Sequence, residues 1–301
     1  MPAASQFAAP VSARLRRLGQ VVADALLYGN GLVAAAAAAL TASSAQYWGR
    51  PLPGAVPALV LAATLFVYNL NGARRHSRQL PPGTPPRRRW IVHHRPLLLG
   101  VVLVSVLAVA ALYLGSPYRG PLTWLLGHLA VLSLAYSWPV LPGRGGRRWS
   151  LRVVPGLKTL LIGYVWTAVT VWLPAQCLGL SLTSAPVLVL LARRFSFILA
   201  IALVFDLRDY TKDKLSGTRT LPGLLGFAGG RWLALACVLV SALLPLPGLS
   251  GAGQLVLAVP TLLTALVVWF ADEARSDYYF SLLADGLLLV QALALVAAVA
   301  V

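Results

Sequence analysis

Acidic residues are scarce in this sequence. Eight Asp and Glu stand against 25 Lys and Arg, and the formal net charge is +17. Cysteine is scarce as well: Cys177 and Cys237 both fall within apolar segments, without the spacing of metal ligands. The sequence therefore offers no cysteine-based metal site, and both thiols are predicted to be core residues.

Long polar segments are also missing. Hydrophobic residues make up 58% of the chain, charged residues 11%, and the mean hydropathy is +0.77. Apolar runs of about 20 residues recur, and each can cross a hydrocarbon core of about 30 Å. The basic residues fall mostly in short loops between these runs, which is typical of membrane proteins and argues against a nucleic-acid partner. The sequence predicts an all-α, multi-pass membrane protein in contact with lipid.

Nine membrane spans are predicted, with Pro, Gly and Arg at the joints. They cover Val21–Tyr47, Gly54–Asn71, Pro96–Gly115, Leu122–Pro139, Val154–Gln176, Pro186–Phe205, Arg231–Leu246, Gln254–Ala271 and Phe280–Val301. Residues 1–20 are predicted to be an N-terminal cytoplasmic segment and residues 21–301 a single membrane domain.

Loop charge predicts the orientation. Basic residues cluster before the first span and in alternate loops, at Arg14, Arg16, Arg17, Arg74, Arg75, Arg78, Arg87, Arg88, Arg89, Arg95, Arg144, Arg147, Arg148, Arg152, Arg208, Lys212, Lys214 and Arg219. The positive-inside rule places these loops and the N-terminus in the cytoplasm, with the protein in the cell (inner) membrane. Arg193 and Arg194 break the pattern, because they lie early in the sixth span on the other side. Either they snorkel at its boundary or they face an internal cavity, and the pattern favours the boundary.

The segment from Phe205 to Pro222 carries three of the eight acids. Asp206, Asp209 and Asp213 are spaced i, i+3 and i+7, so they share one face of a helix. Carboxylates gathered at a membrane surface suit Mg²⁺. Interspersed basic residues suit phosphate oxygens, namely Arg208, Lys212, Lys214 and Arg219. A lipid diphosphate bound with metal is the natural joint ligand, although the acids could instead pair with these cations on a solvated helix end.

Several segments resemble the UbiA family of intramembrane prenyltransferases. The second Asp-rich motif of that family is matched by Asp206–Asp213 followed by Gly217–Pro222, and the supporting matches are Ala135–Pro139, Pro155–Lys158 with Trp166, and Asp277–Tyr279 with Asp285 and Gly286. The resemblance covers nearly the whole chain. It implies a helical bundle with a lipid-open cavity, in which a polyprenyl diphosphate loses diphosphate to Mg²⁺ and basic residues and an allylic cation alkylates an acceptor.

The sequence departs from the family in its first motif, Asn-x-x-x-Asp-x-x-x-Asp. Anchored on Asn69, the two Asp positions are Ala73 and Ser77, and no acid lies between Asp24 and Asp206. Either a single metal ion suffices, or Arg74 and Arg75 contact diphosphate directly, or the activity has been lost. Lys158, about one turn into the fifth span, either snorkels to lipid phosphates or enters the cavity.

The resulting prediction is a Mg²⁺-dependent prenyltransferase that uses a polyprenyl diphosphate and an aromatic or other hydrophobic acceptor. Asp206, Asp209 and Asp213 are the predicted metal ligands and catalytic residues. The candidate diphosphate contacts are Lys158, Arg208, Lys212, Arg219, Asn69, Arg74 and Arg75. The alternative is a non-catalytic relative that binds an isoprenoid or quinone or acts as a scaffold. Asp285, about two turns into the last span, is expected to face the protein interior.

Overall fold

The apolar runs form helices, since a helix satisfies its own backbone hydrogen bonds in an apolar surrounding. The computed structural model describes residues 11–74, 83–139, 141–142, 148–151, 154 and 156–301. In these ranges the helices are α1 (Val11–Tyr28), α2 (Gly31–Tyr47), α3 (Ala55–Arg74), α4 (Pro86–His93), α5 (Arg95–Leu114), α6 (Arg119–Ser137), α7 (Leu157–Thr167), α8 (Leu173–Cys177), α9 (Ala185–Arg208), α10 (Tyr210–Leu215), α11 (Leu221–Ala242), α12 (Gly251–Val256), α13 (Ala258–Trp269) and α14 (Asp285–Ala300). Two segments are π-helical, π1 (Ala168–Trp172) and π2 (Tyr279–Ala284). Two short strands, β1 (Leu141–Pro142) and β2 (Arg148–Trp149), pair antiparallel.

Seven helical stretches of the described chain are long and apolar enough to cross a membrane: Ala55–Ala73, Arg95–Leu114, Leu157–Cys177, Ala185–Arg208, Leu221–Ala242, Gly251–Trp269 and Tyr279–Ala300. Counting the bent pair α1–α2 as one span gives eight. The fourth predicted span falls on α6, whose apolar part, Leu122–Tyr136, is shorter. The prediction of a helical, multi-pass membrane protein is confirmed, and the count of nine spans stays a prediction.

Helix α9 lies at the centre of the bundle. It packs against α7, α11 and α13, and its Phe197 and Leu203 are fully buried. Helix α5, by contrast, packs chiefly on α3 and leaves leucines such as Leu103 and Leu107 exposed. Exposed leucines on a membrane helix face lipid. The buried thiols of Cys177 and Cys237 confirm their assignment to the core.

Contacts between helix ends define two ends of the bundle. The start of α2 meets the end of α3, through Asn30 and Asn69, and the start of α7 meets the end of α9, through Lys158 and Asp206. We call this the polar end. At the opposite end, Tyr47 at the end of α2 donates to the carbonyl of Pro247 in the loop after α11.

The first predicted span is not one straight helix. It bends by 61° between α1 and α2. The break falls at Gly29-Asn30-Gly31, where Asn30 takes a left-handed conformation with φ 61, one that Asn tolerates better than most residues. The run of apolar residues through Val21–Tyr47 concealed this joint, although the bent pair covers Gly19–Tyr47, within two residues of the predicted span.

The seventh predicted span begins inside α11. Helix α11 covers Leu221–Ala242, but Gly226 has a non-helical conformation (φ 79, ψ 163) that kinks the helix, so the predicted start at Arg231 lies five residues after the kink. The Thr220 side chain caps α11 by accepting from the backbone nitrogen of Gly223, and Pro222 occupies the first turn, where its missing N–H costs nothing. Arg231 lies inside the helix and donates to the carbonyl of Ala271. The Gly-Gly-Arg sequence that indicated a joint therefore lies within the span.

Arg193 and Arg194 do not snorkel to the membrane boundary. Their exposed fractions are 6% and 1%. Arg193 donates to the carbonyls of Leu244 and Leu257, near the end of α11 and at the break between α12 and α13. Cations at helix C-termini satisfy carbonyls that have no partner within the helix. The interpretation of a boundary pair was wrong, and Arg193 instead ties three helices together at the end opposite the polar end.

Candidate functional site

All eight acidic residues of the chain lie at the polar end. Asp206 lies in the last turn of α9, Asp209 and Asp213 follow the end of that helix, and Asp285 begins α14. Asp24 accepts from the Tyr278 hydroxyl, and Glu273 accepts from the backbone and hydroxyl of Thr211 at the start of α10. The remaining two, Asp272 and Asp277, lie in the loop between α13 and π2. The end of the bundle predicted to face the cytoplasm therefore holds every carboxylate side chain of the protein.

Asp206 forms a buried polar contact at this end. Its side chain is 1% exposed and pairs with the ammonium of Lys158, while the Thr159 hydroxyl donates to its second oxygen at 2.6 Å. Both carboxylate oxygens are thus occupied by residues of α7. Lys158 therefore points into the bundle and does not snorkel to lipid. Its predicted contact with a diphosphate stays a prediction.

The start of α7 is fixed by Gly156. This residue has φ +69, and a Cβ there would lie 2.9 Å from the Leu221 side chain. Its backbone nitrogen donates to the carbonyl of Arg219 at 3.3 Å. A side chain at this position would be strained and crowded. Glycine therefore lets the segment after the Asp-rich motif pack against α7 and positions Lys158, two residues further on.

Asp209 lies on the joint between α9 and α10. Its oxygens lie 2.9 Å from Arg208 Nη2 and 3.6 Å from Lys212 Nζ. Burial opposes ionisation here, but the charge and hydrogen bond of Arg208, with the charge of Lys212, hold the pKa of Asp209 below its ordinary value. Asp209 is therefore ionised and paired.

Asp213 is buried on α10 with one oxygen that lacks a hydrogen-bond partner. This Oδ2 lies 3.9 Å from Lys158 Nζ. Burial raises the pKa of Asp213, the nearby Lys158 charge opposes that rise, and the Asp209 and Asp206 charges add to it. Asp206 and Asp213 thus approach the same ammonium, as a shared helix face predicts, although the helix breaks between them at Asp209.

These carboxylates do not fit the predicted magnesium site. In the part of the chain that the structure describes, no group of three or more His, Cys, Asp or Glu side chains could hold a metal ion. Both oxygens of Asp206 and Oδ2 of Asp209 accept from protein donors, and Lys158 lies near both Asp206 and Asp213, where a divalent ion would be expected. Mg²⁺ needs several free oxygen ligands gathered around one point, and the described carboxylates do not provide them.

Asn69 is fully buried and is used within the protein. It accepts from Asn30 at 2.9 Å and donates to the carbonyls of Gly29 and Leu65 at 3.1 and 2.9 Å. Its amide therefore fixes the bend between α1 and α2 and is not free for a diphosphate.

Four predicted diphosphate contacts remain, and the structure describes the side chains of two of them. Lys212 and Arg219 are exposed at the polar end. Arg74 ends α3, but its side chain lies outside the described structure, and so does all of Arg75.

Arg87 lies at this site but was not among the residues that the sequence predicted for it. It lies in the first turn of α4 and is half-buried. Its guanidinium lies 3.5 Å from the Asn30 side-chain oxygen, and its backbone nitrogen lies 3.4 Å from Asp277. The charges of Asp285 and Asp277 act on it, and so does the like charge of Arg208. A run of three arginines at a helix start gave no signal to distinguish the inward Arg87 from its neighbours.

Aromatic side chains lie beside these charges. The Arg208 guanidinium carbon lies 5.0 Å from the Phe205 ring centre and 5.5 Å from that of Phe280. The indole of Trp166 donates to the Tyr68 hydroxyl at 3.1 Å. Aromatic faces stabilise cations. The polar end therefore places cations, carboxylates and aromatic rings next to the apolar interior of the bundle.

Comparison with known proteins gives no relative. No protein-family model, no curated protein and no solved structure matches this chain. The residues of the polar end are therefore the basis for any function proposed for it.

Proposed function

We propose that the protein is a membrane prenyltransferase that takes a polyprenyl diphosphate and transfers its prenyl group to an aromatic or other hydrophobic acceptor. The observation that carries this proposal is a group of partly buried cations, Lys158, Arg208 and Arg87, at the end of an apolar bundle. An amphiphile with an anionic head and an apolar tail matches that juxtaposition. In the proposal the bundle is of the UbiA type with nine spans, in the cell membrane, with the polar end in the cytoplasm.

The cations would act on the leaving group. The bond between the allylic carbon and the diphosphate oxygen breaks, and its electron pair leaves with the oxygen. Fixed positive groups stabilise the charge that develops there. Acceptor attack on the allylic cation forms the new bond, and the proton lost from the acceptor passes to the released diphosphate.

The aromatic residues beside the cations would protect the reactive species. The faces of Tyr68, Trp166 and Phe205 can stabilise an allylic cation, and the apolar interior keeps water from it. Because the described carboxylates do not fit Mg²⁺, no step of this mechanism is assigned to a metal.

The second candidate is a non-catalytic protein that binds an isoprenoid or quinone or acts as a scaffold. Two observations favour it: Asp206 and Asp209 are neutralised by internal partners, and the sequence lacks the acids of the first motif. A binding protein would use the same cations to hold a polar head group without breaking a bond.

Diphosphate release separates the two candidates. Purified protein would be incubated with a panel of prenyl diphosphates and a membrane lipid extract as the source of acceptor, and released diphosphate measured. The prenyltransferase proposal expects release with at least one donor, loss of release in Arg208→Gln, and retention in Lys214→Gln, which removes a charge from an exposed position of α10. Tight donor binding without release would favour the non-catalytic candidate.

A further inference from the structure

Two arginines at the polar end have incompletely compensated charges. Arg87 lies against Asn30 and Asp277, and Arg208 lies against Phe280, three residues after Asp277. Arg87 forms no ion pair with any carboxylate among the described residues, and Arg208 pairs with Asp209 alone. Burial, and next the positive charge of Arg208, lower the pKa of Arg87, while Asp285 and Asp277 oppose that change. Like charges in a partly buried place repel each other, and an anion that contacts both would relieve the repulsion.

Arg208 is held in place by groups that leave most of its donors free. Phe205 and Phe280 lie against its guanidinium, and its Nη2 donates a hydrogen bond to Asp209 at 2.9 Å. A guanidinium has five N–H donors in a fixed fork that matches phosphate oxygens. Arg208 is therefore oriented in advance, with donors to spare for an anionic ligand.

Lys158 supplies a third cation on the neighbouring helix. Its side chain is 18% exposed, and its ammonium donates to Asp206 while lying 3.9 Å from Asp213, too far for a hydrogen bond. An ammonium has three donors. Lys158 both neutralises the buried carboxylates, as a metal ion would, and retains hydrogen-bonding capacity.

We propose that Arg87, Arg208 and Lys158 bind the diphosphate of the ligand directly, so that no divalent metal ion is required. This inference rests on the proposed function, because it concerns the head group of the same ligand. The protein's own cations take over the neutralisation that carboxylate-bound ions would supply. The absence of acids from the first-motif positions then has a physical consequence, since carboxylates there would repel a diphosphate that arrives without metal.

Equilibrium binding of geranylgeranyl thiodiphosphate, a donor analogue that resists cleavage, tests this proposal. The full-length protein, in detergent or nanodiscs, is titrated once with EDTA and once with excess Mg²⁺. The dissociation constant should change by less than about fivefold, the lower end of the usual coupling between linked ligands. Mg²⁺ titrated alone should produce no binding heat.

Two variants of α4 give a matched pair. With EDTA present, Arg87→Gln should weaken binding by about tenfold or more, as expected when a charge-assisted hydrogen bond is lost. Arg89→Gln removes the same charge from an exposed position of the same helix and should leave binding nearly unchanged. Arg208→Gln is a second variant, on a different helix, in which the same loss is expected.

The outcomes separate this inference from the proposed function. Binding that appears only with Mg²⁺ would overturn metal-free recognition and leave the prenyl diphosphate ligand in place. Equal losses in Arg87→Gln and Arg89→Gln would overturn the assignment of Arg87, since general surface charge would then account for both. An absence of binding under either condition would overturn both proposals.

Discussion

The pair formed by Asp206 and Lys158 places two charges in a setting where dehydration is costly. Asp206 is almost completely buried, and Thr159 donates to the oxygen that Lys158 leaves free. A buried pair of this kind adds little to stability compared with an apolar pair, but loss of one member leaves an uncompensated charge. The two residues therefore depend on each other.

Asp206→Asn should lower the free energy of unfolding by about 3 kcal/mol, because Lys158 would keep its charge without its main partner. The partial exposure of Lys158 moderates this cost. Thermal unfolding in detergent measures it. Asp209→Asn is the control, because its side chain is 24% exposed and water can replace its contacts. A smaller loss for Asp206→Asn than for Asp209→Asn would contradict this account of the pair.

Asp213 should make stability depend on pH. Its pKa is raised in the folded protein, chiefly by burial, so the folded state holds its proton to higher pH than the unfolded state. Its contribution to stability is therefore greatest below the ordinary pKa of a carboxyl group and declines as pH rises through the raised value. Asp213→Asn should remove that decline from the pH profile of the thermal midpoint.

Asp209 provides a comparison of opposite sign. Its pKa is lowered, so it stabilises the fold above the ordinary carboxyl pKa and loses this effect as the pH falls through the lowered value. Asp209→Asn should therefore flatten the profile on the acidic side. If the thermal midpoint depends on pH in the same way in the wild type and in both variants, neither carboxyl group titrates as described.

Among the helices, α1 and α2 show how a short polar joint organises the polar end. Asn30 takes the left-handed conformation at the bend, and Asn69 on α3 binds both Asn30 and the carbonyl of Gly29. The ring of Tyr28 lies 5.9 Å from that of Trp90 on α4. The bend therefore places α1 and α4 beside each other, and α4 carries Arg87.

Asn69→Leu should loosen this joint. It removes three hydrogen bonds, one of them fully buried, and leaves the Asn30 amide without this partner, at an expected cost of about 2–3 kcal/mol. Hydrogen exchange of the backbone around residues 28–31 should accelerate, and the thermal midpoint should fall. Thr64→Val on the same helix is the control, because the Thr64 hydroxyl donates to Val60 within α3. Unchanged exchange in Asn69→Leu would show that the amide does not fix the bend.

Helix positions could be predicted from the sequence better than helix joints. Long apolar runs located the membrane helices, since the bilayer imposes length and composition on them. The bend at Asn30 was hidden inside one such run, and the start of α11 was missed because the kink at Gly226 separates its first turn from the rest of the span. Both features depend on local capping and backbone conformation, which hydropathy does not register.

The site could be predicted from the sequence only where it depends on residues close together in the chain. The sequence indicated that Asp206 and Asp213 share a face, and both approach Lys158. It could not show that Lys158 would neutralise them, because the pair joins residues 48 positions apart and depends on which faces of α7 and α9 meet. Arg87 was missed because the inward turn of one arginine among three depends on the packing of α4.

At the scale of the whole molecule, charge is distributed unequally between the two ends. The eight carboxylates gather at the polar end, together with Arg87, Lys158 and Arg208, whereas the opposite end has Arg193 holding backbone carbonyls. Basic residues near short loops remain on the cytoplasmic side during membrane insertion, while acidic residues have little influence on orientation. The polar end is therefore expected to face the cytoplasm, with the N-terminus on the same side and the C-terminus outside.

Cysteine accessibility in intact cells tests this topology. In a background with Cys177 and Cys237 replaced by Ser, Arg89→Cys and Ser216→Cys occupy exposed positions at the polar end, and Thr183→Cys occupies an exposed position at the opposite end. An impermeant thiol reagent should label the Thr183→Cys protein and should label the other two only after the membrane is permeabilised. The contacts that join the ends of α3, α7 and α9 require Arg89 and Ser216 to be on one side, so the two variants must behave alike. Labelling of both the Arg89→Cys and the Ser216→Cys proteins in intact cells would show that the orientation is the reverse of the one expected. Labelling of only one of them would contradict the placement of both residues at the polar end.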